Sequence, residues 1–519
     1  MKLHGTNKSR MFASIIAITL FAALALPIVS SAQEAKIQKQ EHHHYKLIVV
    51  EPPGGPNSSL SGPSAQVLNN RGTFAAYANT ATANPNANCA IPFNANANAG
   101  DCFVEHPVLW HNGTLTDLEL LPGGANGQTD WISDSGLVAG WSENGLTDPM
   151  GLPVGRAVVW TKDGKIIDLG AVPGGTESLA TAVNNHGLVV GFSNNDIPDA
   201  FSMAGLPAQT RAFLWQNGVI GDLGTLGGPD ALAFLVNERG QISGQAYTNS
   251  TPSQAFGIPT QHPFFWENGK MVDIGTLGGT LGSPSWMNNR GQVVGFSTEV
   301  TDQNSHAFLW DKEEGLKDLG FLPGGTYGNA TWINDAGEIV GGSDSSNGFH
   351  AYFWKKGVMT DLGNLPGDCS SQATAINSSG QIVGNGSLDC TNEAHALLFE
   401  NGSAPIDLNT LVAPGSGVIF LNPFNINDRG EIAGFGVLTT GDTRAVLLIP
   451  CDENHPRIEG CDYNTVEALA ETPAPAAQIT PASAAATTTK LSHAQMMTRF
   501  RSLAAGRNHR FASPQISTK

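Results

Sequence analysis

Charge is scarce in this chain. Asp, Glu, Lys and Arg make up 14% of its 519 residues, against roughly 25% in an average soluble protein. Basic residues are the scarcer kind, 27 against 45 acidic, for a formal net charge of −18. A general nucleic-acid binder needs a basic footprint, so nucleic acid is excluded as a general partner. The six cysteines include no Cys-x-x-Cys, which argues against zinc. No complete Gly-x-Ser-x-Gly elbow, His-Glu-x-x-His pair or P-loop occurs, so the common linear catalytic motifs are missing. Beyond the N-terminus, no apolar run is long enough to span a bilayer as a helix, and no transmembrane segment is expected in the mature chain.

Glycine is plentiful, at 61 residues, well above a norm of roughly 7%. Low charge with high glycine suggests short strands and turns rather than long surface helices. A hydrophobic fraction of 40% and ten tryptophans allow a large core and exclude wholesale disorder.

The N-terminus reads as an address. Lys2, Lys8 and Arg10 precede an uncharged apolar run from Met11 to Val29, and Ser30-Ser31-Ala32 supplies small residues for cleavage. Residues 1–32 are expected to be a secretory signal peptide and 33–44 a lead-in. The location expected is secreted, extracellular or cell envelope. The cysteines agree, because they form three close pairs: Cys89 and Cys102, Cys369 and Cys390, Cys451 and Cys461. Local disulfides suit an oxidising compartment, although spacing does not prove connectivity.

A repeat fills residues 45–450. Its clearest copy runs His306-Ala307-Phe308-Leu309-Trp310, Asp318-Leu319-Gly320, Leu322-Pro323-Gly324-Gly325, Ile333-Asn334-Asp335-Ala336-Gly337 and Ile339-Val340-Gly341. The tryptophan station recurs at Trp110, Trp160, Trp215, Trp266, Trp310 and Trp354, then as Phe399 and Leu448. The glycine after the Asn station recurs at Gly72, Gly136, Gly187, Gly240, Gly291, Gly337, Gly380 and Gly430. Asn-Gly steps at 112, 217, 268 and 401 favour type I′ hairpin turns. The Asn-x-x-Gly segments read as Asx-initiated turns. Each repeat is therefore two hairpins, and four short antiparallel strands at this period are β-propeller arithmetic. The expectation is an all-β propeller, with eight blades. Tyr45 to Val50 and Arg444 to Ile449 would share one blade and close the ring. A solenoid or open array is the alternative.

These stations resemble the HAF repeats of bacterial exported proteins, over nearly all of 42–450. The opening His42-His43-His44-Tyr45-Lys46-Leu47-Ile48 and Pro56-Asn57-Ser58 also resemble that family's first repeat. The resemblance implies location and architecture but no reaction. Asp-Leu-Gly is absent from the first unit, the seventh Gly-Gly station is Gly367-Asp368, and Leu411-Val412-Ala413-Pro414 replaces the eighth.

Repetition weighs against most candidate sites. Six tryptophans at one station favour packing between blades. Trp131, Trp286 and Trp332 share a less regular station and are the better binding candidates, although core packing is the favoured reading there too. The aspartates at 117, 168, 222, 273, 318, 361 and 407 could ring a channel and hold Ca²⁺; acceptance of backbone N–H bonds is favoured. Successive His42, His43 and His44 cannot all face one ion from a strand. His106, His262, His306, His350 and His395 exchange with Arg156, Arg211 and Arg444 at one place, which favours a structural role. No catalytic residue, cofactor or metal is therefore assigned.

The unequal connections are the functional clue. Those near 78–105, 142–155, 193–210 and 246–261 are long, and each holds an apolar-Pro step: Ile91-Pro92, Leu152-Pro153, Leu206-Pro207 and Ile258-Pro259, with Met150, Met203 and Phe256 nearby. Loops on rigid scaffolds often carry function, and clustered exposed apolar groups mark interaction surfaces.

After a Cys-containing extension over 451–471, residues 472–489 read as an Ala/Pro/Thr linker. Residues 490–519 carry six basic side chains and no acid, and could make weak contact with an envelope surface. Subtracting the +3 of the leader and the +6 of the tail from −18 leaves −27 on residues 33–471.

The expectation is an exported, non-catalytic module that binds a glycan, protein or small ligand through the long loops of one face, and is not an enzyme. Two alternatives stand beside it. One is a secreted hydrolase or lyase acting on a polysaccharide, because a repeated scaffold can carry catalytic groups without a linear motif. The other is an envelope-associated scaffold.

Overall fold

The computed structural model describes residues 41–62, 64–86, 102–148, 151–388, 394–400 and 404–467. The segments expected to be a signal peptide, a linker and a basic tail lie outside these residues. Among the described residues no helix is long and apolar enough to cross a membrane.

The fold is an all-β propeller built from four-stranded antiparallel sheets. One sheet shows the plan: strands Gly127–Ile132, Val138–Thr147, Pro153–Trp160 and Ile166–Gly170 pair in chain order. Among the described residues thirty-two strands pair into eight such four-stranded units. Single parallel bridges, Gln261 to Leu281 and Phe349 to Ser370, join two pairs of neighbours. The last unit takes Val418–Ile426, Ile432–Leu438 and Thr443–Pro450 from the C-terminal end and Tyr45–Val49 from the N-terminal end. Their register runs from Tyr45 opposite Pro450 to Val49 opposite Val446. The two segments expected to share one blade thus pair directly, and neither leaves that edge unpaired.

The phase of the repeat follows from burial. The strand that ends at the Asn station comes first in each sheet and is buried along its whole length in Gly127–Ile132, Ser178–Val183 and Ala231–Val236. The outer Asp-Leu-Gly strand is largely exposed, as in Thr114–Asp117. A strand covered on both faces reads as a run of apolar and small residues, not as an alternation. The expected hairpin turns are present, with positive φ at Asn112 and Gly113, Asn217 and Gly218, and Asn268 and Gly269.

The third residue of Ile-Val-Gly is glycine for a steric reason. Each inner strand bulges, as between Ala330 and Trp332, and the bulge pushes a carbonyl toward its partner. A Cβ on Gly341 would lie 2.1 Å from the Asn329 carbonyl oxygen. The residue at the bulge then reaches the next unit: Thr181 Oγ1 donates to Ala233 O, and Thr331 Oγ1 to Ala373 O, both at 2.9 Å. Thr374 Oγ1 donates to Pro423 O at 2.8 Å.

The Asn stations link the units again. Asn334 Oδ1 accepts from the backbone N–H of Ala336 and Glu338, closing its turn, while Nδ2 donates to Asn377 O. The same donation runs from Asn69 to Ser133, Asn184 to Asn237, Asn237 to Asn288, Asn288 to Asn334, Asn377 to Asn427 and Asn427 to Asn69, at 2.9–3.1 Å. Ser133 has no carboxamide; there the backbone N–H of Ser135 donates to Asn185 Oδ1 instead. Hydrogen bonds therefore run from unit to unit and return to their starting point. The junction of last and first units is also a hydrophobic core, in which Val67, Phe74, Ala76 and Val108 pack with Ala433, Ala445 and Leu447.

Candidate functional site

The residue that follows each Asn station projects from the tip of its turn. Around the axis these residues are Asn70, Asp134, Asn185, Glu238, Asn289, Asp335, Ser378 and Asp428. Carboxyl groups occupy alternate positions. All eight line a single axial cavity of about 230 Å³, together with Trp131, Trp286 and Trp332. Backbone amides fix the carboxyls: Asn70 N–H donates to Asp134, Asn289 N–H to Asp335 and Ser378 N–H to Asp428, at 2.7–2.9 Å.

Glu238 differs from the other three. Asn185 N–H donates to both its oxygens, at 3.2 and 3.3 Å. Burial pushes this carboxyl up, the Asn185 N–H and His186 pull it down, and Asp134 adds like charge; the net position is above the ordinary glutamate value. Below the rim, Trp286 stacks on Trp332 at 3.3 Å and on Trp131 at 5.2 Å between ring centroids. The three indoles are 5–8% exposed, so they form a packed floor. Among the described residues no group of three or more His, Cys, Asp or Glu is arranged to hold a metal ion.

This rim was missed in the sequence because its residue type varies from repeat to repeat. The available signal was position: one residue past the turn Asn, which is Ser133 in one unit. The conspicuous aspartates sit elsewhere, on the outer strands. Asp117, Asp168, Asp222, Asp273, Asp318 and Asp361 pair across to His106, Arg156, Arg211, His262, His306 and His350, at 2.8–3.4 Å. Most also accept the N–H of the glycine two residues on, as Asp318 does from Gly320 at 2.8 Å. Asp407 caps the short 3-10 turn Leu408–Leu411. Asp368, at the divergent Gly-Gly station, instead pairs with His395 at 2.8 Å. These are clips within and between strands.

The long connections are largely extended hairpins. The pairing of Val138–Thr147 with Pro153–Trp160 continues past a bulge to Thr147 opposite Pro153, and the next two units behave alike. Among the described residues their apolar side chains differ in burial. Leu152 and Pro207 are exposed and Leu206 is half-buried, while Pro153, Met203 and Pro259 are buried. Phe256 and Ile258 pack on Leu281, Phe296 and Tyr327. Ile91, Pro92 and Met150 lie outside the described residues.

One connection brings a half-buried carboxyl, Asp199, to the buried Asp230. Asp230 accepts from Met203 N–H at 2.6 Å and Thr210 N–H at 2.9 Å, and so ties the 193–210 hairpin to the next unit. Burial raises its carboxyl to about 7, with backbone donors opposing and Asp199 assisting.

Cys451 and Cys461 form a disulfide. Cys102 and Cys369 are also disulfide-bonded; Cys89 and Cys390, the partners expected for them, lie outside the described residues.

No family model matches the chain, and no curated protein matches it. Solved structures resemble it distantly. The β-propeller domain of the Trilobed protease from Pyrococcus furiosus is 10% identical, over 70% of this chain and 95% of that one, with a TM-score of 0.38. Dipeptidyl peptidase 4 of Porphyromonas gingivalis is 9% identical, over 66% and 56%, at 0.39. Puromycin hydrolase is 11% identical, over 76% and 63%, at 0.37. This chain thus spans less than two thirds of the length of the last two. The neighbours include peptidases and a hydrolase, so the expectation of a non-catalytic module that is not an enzyme is set aside. The likeness is one of fold, and the reactions of those proteins remain their own.

Proposed function

We propose that the chain is an exported β-propeller hydrolase of the HAF-repeat type that acts on a glycan at the axial mouth. The observation behind this reading is the axial cavity itself, which sets carboxyls in unlike environments above an indole floor. Glycoside hydrolysis needs one protonated and one ionised carboxyl near the bond to be cut. Glu238, held above its ordinary value, suits the acid that protonates the leaving oxygen. Asp134, whose oxygens accept from Asn70, suits the base that draws a proton from the attacking water. Trp131, Trp286 and Trp332 offer apolar edges against which a sugar face packs.

The test is incubation of the purified mature chain with a panel of polysaccharides, reading new reducing ends. Release that falls at least about 100-fold in Glu238→Gln, with an unchanged melting temperature, supports the reading. No release from any glycan, or full activity in E238Q, overturns it.

A further inference from the structure

The short lobe after the last propeller strand, which ends in a strand Thr465–Glu467 paired with Glu41–His43, is built around a histidine. Cys451 N–H donates to His44 O at 2.8 Å, and the Cys451–Cys461 disulfide encloses residues 452–460. His455 points inward from this loop and is 2% exposed. Its Nδ1 is 2.7 Å from Asp452 Oδ1, and its Nε2 is 3.3 Å from Glu431 Oε1. Tyr463 Oη donates to His455 O and accepts from Ile458 N–H, bracing the loop.

Glu431 belongs to the turn that joins the last unit to the first. Its other oxygen accepts from Asn427 Nδ2, the same amide that donates to Asn69 O. Gly72 of the first unit lies directly against it, since a Cβ there would come within 2.9 Å of Glu431 Oε1. Arg429 Nη2 is the other cation in contact, 3.3 Å from the same oxygen. The lobe therefore holds the carboxylate that steadies the closing amide.

Both imidazole nitrogens face carboxylate oxygens. Only the doubly protonated ring can donate on both sides; a neutral ring turns a lone pair toward one of them. We propose that the 451–467 lobe is a pH-sensitive clasp on the ring seam, closed while His455 is an imidazolium and released when it becomes neutral. Burial lowers the pKa of this imidazole, but hydrogen bonds and charge from Glu431 and Asp452 outweigh burial and set it above the ordinary histidine value. The sign follows: the clasp's stabilisation is fully present below the ordinary histidine value and is lost as pH rises through the raised one.

Hydrogen exchange on the mature full-length chain reads this directly. Two amides are followed: that of Glu431, which donates to Asn427 Oδ1, and across the seam that of Thr73, which donates to Asn69 Oδ1, both at 2.9 Å. Their protection, corrected for intrinsic exchange, should fall at least about tenfold between pH 6 and pH 9. In His455→Gln it should be low throughout and independent of pH. Protection that does not change with pH in the wild type, or the same fall in H455Q, overturns the clasp. Should H455Q misfold, histidine-selective NMR of the wild type decides: a neutral His455 ring at pH 6 refutes the proposal.

Discussion

Asn427 Nδ2 donates to the backbone oxygen of Asn69 at 2.9 Å, across 358 positions of sequence. This bond lies at the one junction that chain connectivity does not provide. The same amide acceptor, Oδ1, also takes the N–H of Arg429 and Glu431. Asn427→Ala should therefore cost about 3 kcal/mol, because it strands several buried polar groups at once. Denaturant unfolding measures this. If the junction were held by apolar packing alone, the loss would be under about 1 kcal/mol.

The glycines opposite the bulges should tolerate no side chain. Gly341→Ala would place a methyl 2.1 Å from a backbone oxygen in a fully packed sheet. Relief requires shifting backbone on both strands. The expected loss is about 3 kcal/mol, at the upper end for overpacking, read as a lower midpoint in denaturant.

The Asp199 and Asp230 pair predicts a pH dependence. Asp230, raised to about 7, keeps its proton in the folded protein where the unfolded chain has lost it. Its contribution is fully present below about 4, the ordinary aspartate value, and disappears as pH rises toward 7. Asp199→Asn removes the like charge and supplies an N–H toward Asp230. Melting temperature at pH 8 should then rise, and the decline from pH 4 to 7 should become shallower. An unchanged profile would show that the two carboxyls do not interact.

The cross-strand clips should matter little one at a time. Asp318 is 43% exposed and 2.8 Å from His306. Burial pushes its carboxyl up, but the His306 and Gly320 donors and the His306 charge bring it below the usual aspartate range. Asp318→Asn should cost less than about 1 kcal/mol, as for other exposed pairs. The wild-type advantage should vanish as pH falls through the depressed value.

Much of the architecture is written locally. Asn-Gly turns, the Asn-x-x-Gly turns and the apolar runs specify four strands per repeat, because turn geometry and strand burial depend on neighbouring residues. The His or Arg to Asp clip was readable for the same reason, since its partners sit eleven or twelve residues apart on adjacent strands. The hairpin pairing of the long connections was not legible, because an extended hairpin and an open loop have similar composition.

Three features required the tertiary structure. The eight tip residues meet at one axis only after the ring is formed, and each alone is an ordinary turn residue. Asp199 and Asp230 become a pair only when a hairpin of one unit lies on the next strand. His455 comes to lie between Asp452 and Glu431 only because its loop folds back over the turn after Asn427. The sequence by itself determined the repeating unit, whose contacts are short-range. Closure decided which polar groups share a low-dielectric space, and such proximity depends on distances through space that no local pattern encodes.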